Sequence, residues 1–79
     1  MAREGSRAGM PDLCLPVARL GYHALYLEFK ILPNKPTQEQ LNCIADLEEE
    51  GNLCYVVYSM DEGKDIVGDY LHHRLRAHD

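Results

Sequence analysis

Apolar and polar residues alternate most cleanly between His23 and Leu32. Leu25, Leu27, Phe29 and Ile31 would point one way from an extended chain, and Tyr26, Glu28 and Lys30 the other. A period of two predicts a β-strand. A shorter strand is predicted from Asp12 to Val17, with Leu13, Leu15 and Val17 on one face and Asp12 and Cys14 on the other. Pro16 cannot donate to a ladder, so this strand belongs at an edge or carries a bulge near its end. Arg19 to Gly21 reads as a turn, making the two strands a hairpin. Pro33 to Pro36 is a loop. "TQEQ" follows, with Thr37 as N-cap and Gln40 three residues on, the pattern of a capping box. The helix it opens should run to about Glu50 and stop at Gly51, with Leu41, Ile44, Ala45 and Leu47 as its apolar side. Leu53 to Tyr58 is apolar at both parities, which predicts an interior strand. Ser59 and Glu62 repeat the capping pattern. A last helix should reach about Ala77, with Ile66, Val67, Tyr70, Leu71 and Leu75 facing the core.

The resulting order is β-β-α-β-α, an α/β fold in a single domain spanning residues 1–79, with residues 1–10 irregular. The helical segment between Ile31 and Leu53 is long enough for a crossover, so the third strand can lie parallel to the second. A chain of 79 residues buries only ~60% of the surface that its unfolded form exposes, so it needs support from outside its core. Cys14, Cys43 and Cys54 are an odd number with no C-x-x-C pair, each in an apolar stretch. They read as buried free thiols, which suits a reducing, cytoplasmic setting and leaves oligomerisation as the leading support. No run approaches the ~20 apolar residues of a membrane helix, and the N-terminus lacks the apolar segment of a signal peptide. A net charge of −5 is not the footprint of a strong nonspecific nucleic-acid binder, so phosphate contacts would have to come from local basic patches.

Polar chemistry interrupts the two most strand-like segments. Glu28 and Lys30, two apart, emerge on one face, and folding the hairpin can bring Asp12 beside Glu28. Two neighbouring carboxylates repel unless a proton or a cation intervenes. A hard divalent ion such as Mg²⁺ takes oxygen ligands and keeps several waters. A lysine beside it can hold a water or stabilise charge on a reacting phosphoryl group. These are the parts of a phosphodiester hydrolase. The spacing alone is more often that of a solvated strand face with a surface ion pair of small energetic value.

A longer ordered pattern weighs toward the hydrolase. Gly9–Pro11–Asp12, the "LPVAR" after it, "YHALYLEFK", Gln40 within "TQEQ" and the "LEEEGN" turn into the third strand span about Arg7 to Leu71. Together they resemble the VRR-NUC family, the virus-type replication-repair nucleases of the PD-(D/E)xK superfamily. The resemblance implies a small three-layer-like, restriction-endonuclease-like core. It implies Asp12 and Glu28 as ligands of Mg²⁺ or Mn²⁺, the carbonyl of Phe29 as a third ligand, Lys30 as the catalytic lysine and Gln40 as a site residue on the following helix. Members usually begin with a helix bearing another acidic residue and then an extra strand. Here the chain reaches Gly9–Asp12 almost at once, so relative to that pattern an N-terminally shortened form is expected.

The expected function is therefore a divalent-metal-dependent DNA endonuclease, bacterial or phage-encoded. The need for support beyond a small core points to a homodimer, and the single-domain viral members of the family imply branched DNA such as a Holliday junction as its substrate. The alternative is a dimeric DNA- or protein-binding module that kept the nuclease fold and lost turnover. His23 reads as a strand-end residue. His72, His73 and His78 match no strong zinc spacing, and Arg74 and Arg76 suit a helix C-terminus. These two arginines, with Arg3, Arg7, Arg19 and Lys35, are the candidates for phosphate contacts. The five tyrosines read as core and interface residues.

Overall fold

A computed structural model describes residues 7–75 of the chain. The elements are β1 (Leu13–Leu15), β2 (Leu25–Phe29), α1 (Gln38–Glu49), β3 (Leu53–Val57) and α2 (Met60–Leu71). This is the β-β-α-β-α order that the pattern predicts. The sheet order is β1-β2-β3. β1 runs antiparallel to β2, with Leu13 opposite Leu27 and Leu15 opposite Leu25. β3 runs parallel to β2, with Leu25 opposite Leu53 and Phe29 opposite Val57, and α1 supplies the crossover that parallel pairing requires.

The alternation of β2 assigns the two helices to opposite faces. Leu25, Leu27, Leu53, Val57 and Tyr70 form the buried apolar cluster, with Phe29, Ile66, Val67 and Leu75 packed against it. α2 therefore covers the face that bears Leu25, Leu27 and Phe29. Gly63 makes that approach close: a Cβ there would lie 2.9 Å from the ring of Phe29. Tyr26 and Glu28 point the other way, toward α1. The layers are helix, sheet, helix.

The hairpin turns as expected. Arg19 and Tyr22 exchange backbone hydrogen bonds of 3.2 and 2.8 Å, and Leu20 and Gly21 both have positive φ, 55° and 86°. Two such central residues make the type I′ turn that matches strand twist. The Tyr70 hydroxyl donates to the Val17 carbonyl at 2.6 Å and Arg19 Nε donates to the Leu71 carbonyl at 3.3 Å, tying this loop to α2. The α1 capping box is complete: Gln40 N–H donates to Thr37 Oγ1 and Thr37 N–H donates to Gln40 Oε1. At α2 the Ser59 hydroxyl accepts from Glu62 N–H, but the Glu62 carboxylate accepts from Tyr58 N–H at 2.9 Å, one residue earlier than a capping box.

Five local expectations are corrected. β3 lies at an edge of the sheet, and β2 is the central strand; β3 is apolar at both parities because a helix packs on each side of it. Cys14 is exposed, whereas Cys43 and Cys54 are buried, because β1 is an edge strand. Ile31 is 79% exposed, since β2 ends at Phe29. The face of α1 toward the sheet carries Gln40, Cys43, Ile44 and Leu47, while Leu41 and Ala45 are exposed; the helix is rotated so that a glutamine belongs to its inner stripe. α2 stops at Leu71, well short of Ala77, which lies outside the described residues. It ends in a pair of closing bonds, His73 N–H to the Tyr70 carbonyl and Arg74 N–H to the Asp69 carbonyl, with His73 at φ 59°. Gly51 at φ 94° ends α1 with the corresponding bonds. Without a glycine, the stop of α2 leaves no mark in the sequence.

The thiols provide a test of this packing. Burial, with the nearby Glu48 carboxylate second, pushes the Cys54 thiol from 9.0 up to about 12. In the folded chain it keeps its proton where the unfolded chain has lost one, so the native state binds more protons between about 9 and 12. Stability is then fully present below 9 and falls as pH rises through that window. Denaturation midpoints should decline between pH 9 and 11, and less steeply for Cys54→Ala. Alkylation at pH 8 followed by peptide mass analysis should modify Cys14 first, with Cys43 and Cys54 modified only after unfolding.

Candidate active site

The site begins with the parity of β2. Leu27 and Phe29 face the α2 core, so Glu28 between them must face α1. There it is 2% exposed. A carboxylate in that position is costly unless it is paired and hydrogen-bonded. Two donors supply this, both to the same oxygen. Gln40 Nε2 lies 2.8 Å from Glu28 Oε2, and Lys30 Nζ lies 3.3 Å from it, with the lysine side chain 17% exposed. Lys30 is itself placed by its backbone N–H, which donates to the Val57 carbonyl at 2.9 Å. The second oxygen, Oε1, is buried with no donor among the described residues.

Asp12 precedes β1, and one further step of the β1–β2 register sets it opposite Glu28. Its Oδ2 accepts the Phe29 N–H at 2.9 Å. The carboxylate thus takes the donor that a longer β1 would have used and is held against the end of β2. The structure brings Asp12, Glu28, Lys30 and Gln40 together around the end of β2, and Phe29 contributes backbone at the same point.

The residues fit a hard divalent cation. Glu28 Oε1 is buried without a donor among the described residues, and the register carries Asp12, a second carboxylate, to the position opposite Glu28. Among the described residues no three His, Cys, Asp or Glu side chains form a cluster that could hold a metal ion. A cation here would draw on two carboxylates and complete its shell from backbone oxygen and water, the habit of Mg²⁺.

Other candidates lie elsewhere. His23 is at the opposite end of β2; its N–H donates to the Gly51 carbonyl at 3.0 Å and its ring packs on Gly51. His72 and His73 close α2. Arg74 pairs with Asp69 at 3.4 Å, and Arg19 serves backbone carbonyls. Lys35 is exposed in the loop between β2 and α1. Arg3, Arg76 and His78 lie outside the described residues. Tyr26 abuts the site layer; a hydrogen bond with Cys14 and then burial push its phenol up to about 12.

One supporting feature has only a faint trace in the sequence. The segment before Asp12 is strapped to α1. Arg7 pairs with Asp46 at 2.7 Å, and the sulfurs of Met10 and Cys43 are 3.3 Å apart. Gly9, at φ 86°, lies so close to α1 that a Cβ would be 2.6 Å from the Glu39 carbonyl oxygen. A glycine three residues before Asp12 is the one visible signal.

Comparison with known proteins agrees with this fold. The family model described as the VRR-NUC domain matches residues 2–61. A solved structure described as a VRR_NUC domain protein superimposes with a TM-score of 0.80 at 32% identity, covering 86% of this chain and 57% of that one. The present chain therefore corresponds to a little over half the length of that relative. A search of curated proteins gives no match. With the family model covering most of the sequence and a solved relative sharing its architecture, the chain belongs to the VRR-NUC domain family, a nuclease-type family.

Proposed function

We propose that this chain is a divalent-metal-dependent DNA endonuclease that hydrolyses phosphodiester bonds and, as a homodimer, prefers branched DNA. The observation that carries the metal-dependent reading is the buried Glu28 carboxylate. One oxygen is held by Gln40 and Lys30, while the other is left without a donor. Asp12, Glu28 and the Phe29 carbonyl would hold Mg²⁺ or Mn²⁺. When bound, such an ion supplies Lewis-acid charge stabilisation and lowers the pKa of a water.

The chain's own residues supply the rest. Asp12 and Glu28 fix the negative end of the site against the end of β2. Lys30 brings a positive charge to the same point, where it can orient an attacking water and stabilise charge that develops on the phosphate oxygens. Gln40 keeps Glu28 in place.

Two features support the dimer. Leu13 and Met60 are 38% and 64% exposed. They border an apolar cleft of about 320 Å³ that is also lined by Leu27, Phe29 and Val67. A two-fold dimer would cover such area with one self-complementary patch. It would also present two sites related by the same axis, matching the approximate two-fold symmetry of a four-way junction.

Calorimetry with Mg²⁺ or Mn²⁺ should register binding to the wild type and little to Asp12→Asn. A hundredfold excess over the dissociation constant should raise wild-type stability by about 2.7 kcal/mol. Equal binding by both proteins would remove Asp12 from the ligand set.

Lys30→Ala should fold and still take up the ion, yet lose most turnover, on the order of a hundredfold or more. Cleavage of plasmid DNA that survives within a few-fold would leave Lys30 as an ion-pair partner only.

Sedimentation should give a species of twice the 9.0 kDa chain mass. A strand-labelled junction should be cut on opposed arms, and linear duplex much more weakly. A stable monomer that cuts both substrates alike would make the protein a simple nicking nuclease. Absence of any divalent-ion-dependent cleavage would favour the binding-module reading.

A further inference from the structure

The capping box of α1 does more than start a helix. The Gln40 side chain uses both ends of its amide. Oε1 accepts the Thr37 N–H at 2.9 Å, and Nε2 donates to Glu28 Oε2 at 2.8 Å. The two ends of a glutamine amide are otherwise interchangeable in shape. Here the partners decide. A backbone N–H can only donate and a carboxylate can only accept. Turned over, the amide would set oxygen against carboxylate and NH₂ against N–H, two repulsions in place of two bonds.

The start of the helix is closed from the other side as well. Thr37 Oγ1 accepts the Gln40 N–H at 3.1 Å, so residue 37 holds both the backbone and the amide of Gln40. The Thr37 N–H is not needed for a helical ladder bond. It is available to orient a side chain, and the side chain it orients reaches the most buried charge in the site.

We infer that Thr37 is a positioning residue: its backbone N–H, through the Gln40 amide, determines which oxygen of Glu28 is committed to the protein and which is left for a cation. This rests on the proposed metal site. It goes beyond it by coupling the first turn of α1 to that site. The coupling is reciprocal. A frayed first turn releases Glu28, and an ion held by Glu28 steadies the first turn.

Two substitutions separate the donor from the hydroxyl. Thr37→Val removes the hydroxyl and keeps the N–H. Thr37→Pro removes both, and the native φ of −74° suits the proline ring. Both lose the cap hydroxyl, and only Thr37→Pro also loses the N–H that the Gln40 amide accepts, so the Gln40 side chain and the metal affinity, rather than helix content, are the readouts that separate the two roles.

The measurements are the side-chain NH₂ resonances of Gln40 by NMR without metal, and Mg²⁺ binding by calorimetry. The expected result is a Gln40 signal close to wild type in Thr37→Val and shifted to that of free glutamine in Thr37→Pro. Mg²⁺ affinity should be about tenfold weaker in the proline variant than in the valine variant, as for loss of an outer partner of a metal ligand. Gln40 signals that are alike in the two variants would overturn the inference.

Should the wild type bind no Mg²⁺, the metal reading fails, and the NMR comparison alone decides whether Thr37 sets the amide. Should Thr37→Pro not fold, the wild type serves. Bound Mg²⁺ should then slow hydrogen exchange of the Thr37 amide severalfold, and an exchange rate unchanged by bound Mg²⁺ would overturn the coupling.

Discussion

A buried carboxylate on the central strand sets the terms for this small fold. Glu28 is removed from water by α1 on one side and by the strands flanking β2 on either edge. It is retained because a lysine two residues on and a glutamine from the covering helix both reach one of its oxygens. Losing either partner would leave a buried charge less compensated, which costs more than an exposed ion pair is worth. Register follows from the same constraint. A shift of β2 by one residue would turn Glu28 into the apolar cluster under α2 and expel Leu27 from it.

The two faces of the sheet therefore divide the work. Under α2 lie the fully buried leucines, Val57 and Tyr70, with Gly63 letting the helix approach Phe29. This layer supplies most of the apolar burial. Under α1 the inner stripe is Gln40, Cys43, Ile44 and Leu47, a weaker apolar surface with a polar residue at its leading end. The strap from Arg7 to Met10 compensates by fastening the approach to Asp12 onto the same helix. Asp12 is thus held from two directions, by α1 behind it and by the Phe29 N–H in front. Membership of the VRR-NUC family rests on independent comparison, but its nuclease reading meets the geometry at this layer.

Much of this was legible in the chain. Period-two alternation located β2, the capping pattern started α1 at Thr37, Gly51 stopped it, and Leu20–Gly21 lay within the expected turn. The grouping of Asp12, Glu28 and Lys30 could be anticipated because strand parity and hairpin folding are short-range rules, whereas Gln40 entered the site only through the family resemblance. What escaped depends on tertiary contact. The rotation of α1 follows from which stripe meets the sheet, and Leu41 and Ala45 looked as suitable as Cys43. The placement of β3 at an edge depends on which strands are present to flank it, not on its own composition. The end of α2 rests on a histidine in a backbone conformation usually left to glycine. The orientation of the Gln40 amide required the positions of three donors and acceptors at once.

Under the proposed metal-dependent reading, the partial commitment of the two carboxylates would bear on ion selectivity. Glu28 gives one oxygen to Gln40 and Lys30, and Asp12 gives one to the Phe29 backbone. To grip an ion with both oxygens, either carboxylate would have to share with it an oxygen that already accepts a protein donor. Monodentate grip favours a small ion that retains much of its hydration in a regular octahedron. A large ion such as Ca²⁺, which seeks six to eight oxygens and readily takes chelating carboxylates, would compete with the hydrogen bonds that place each carboxylate. Discrimination between the two ions would thus arise from the denticity that the protein leaves available, without any cavity sized to either.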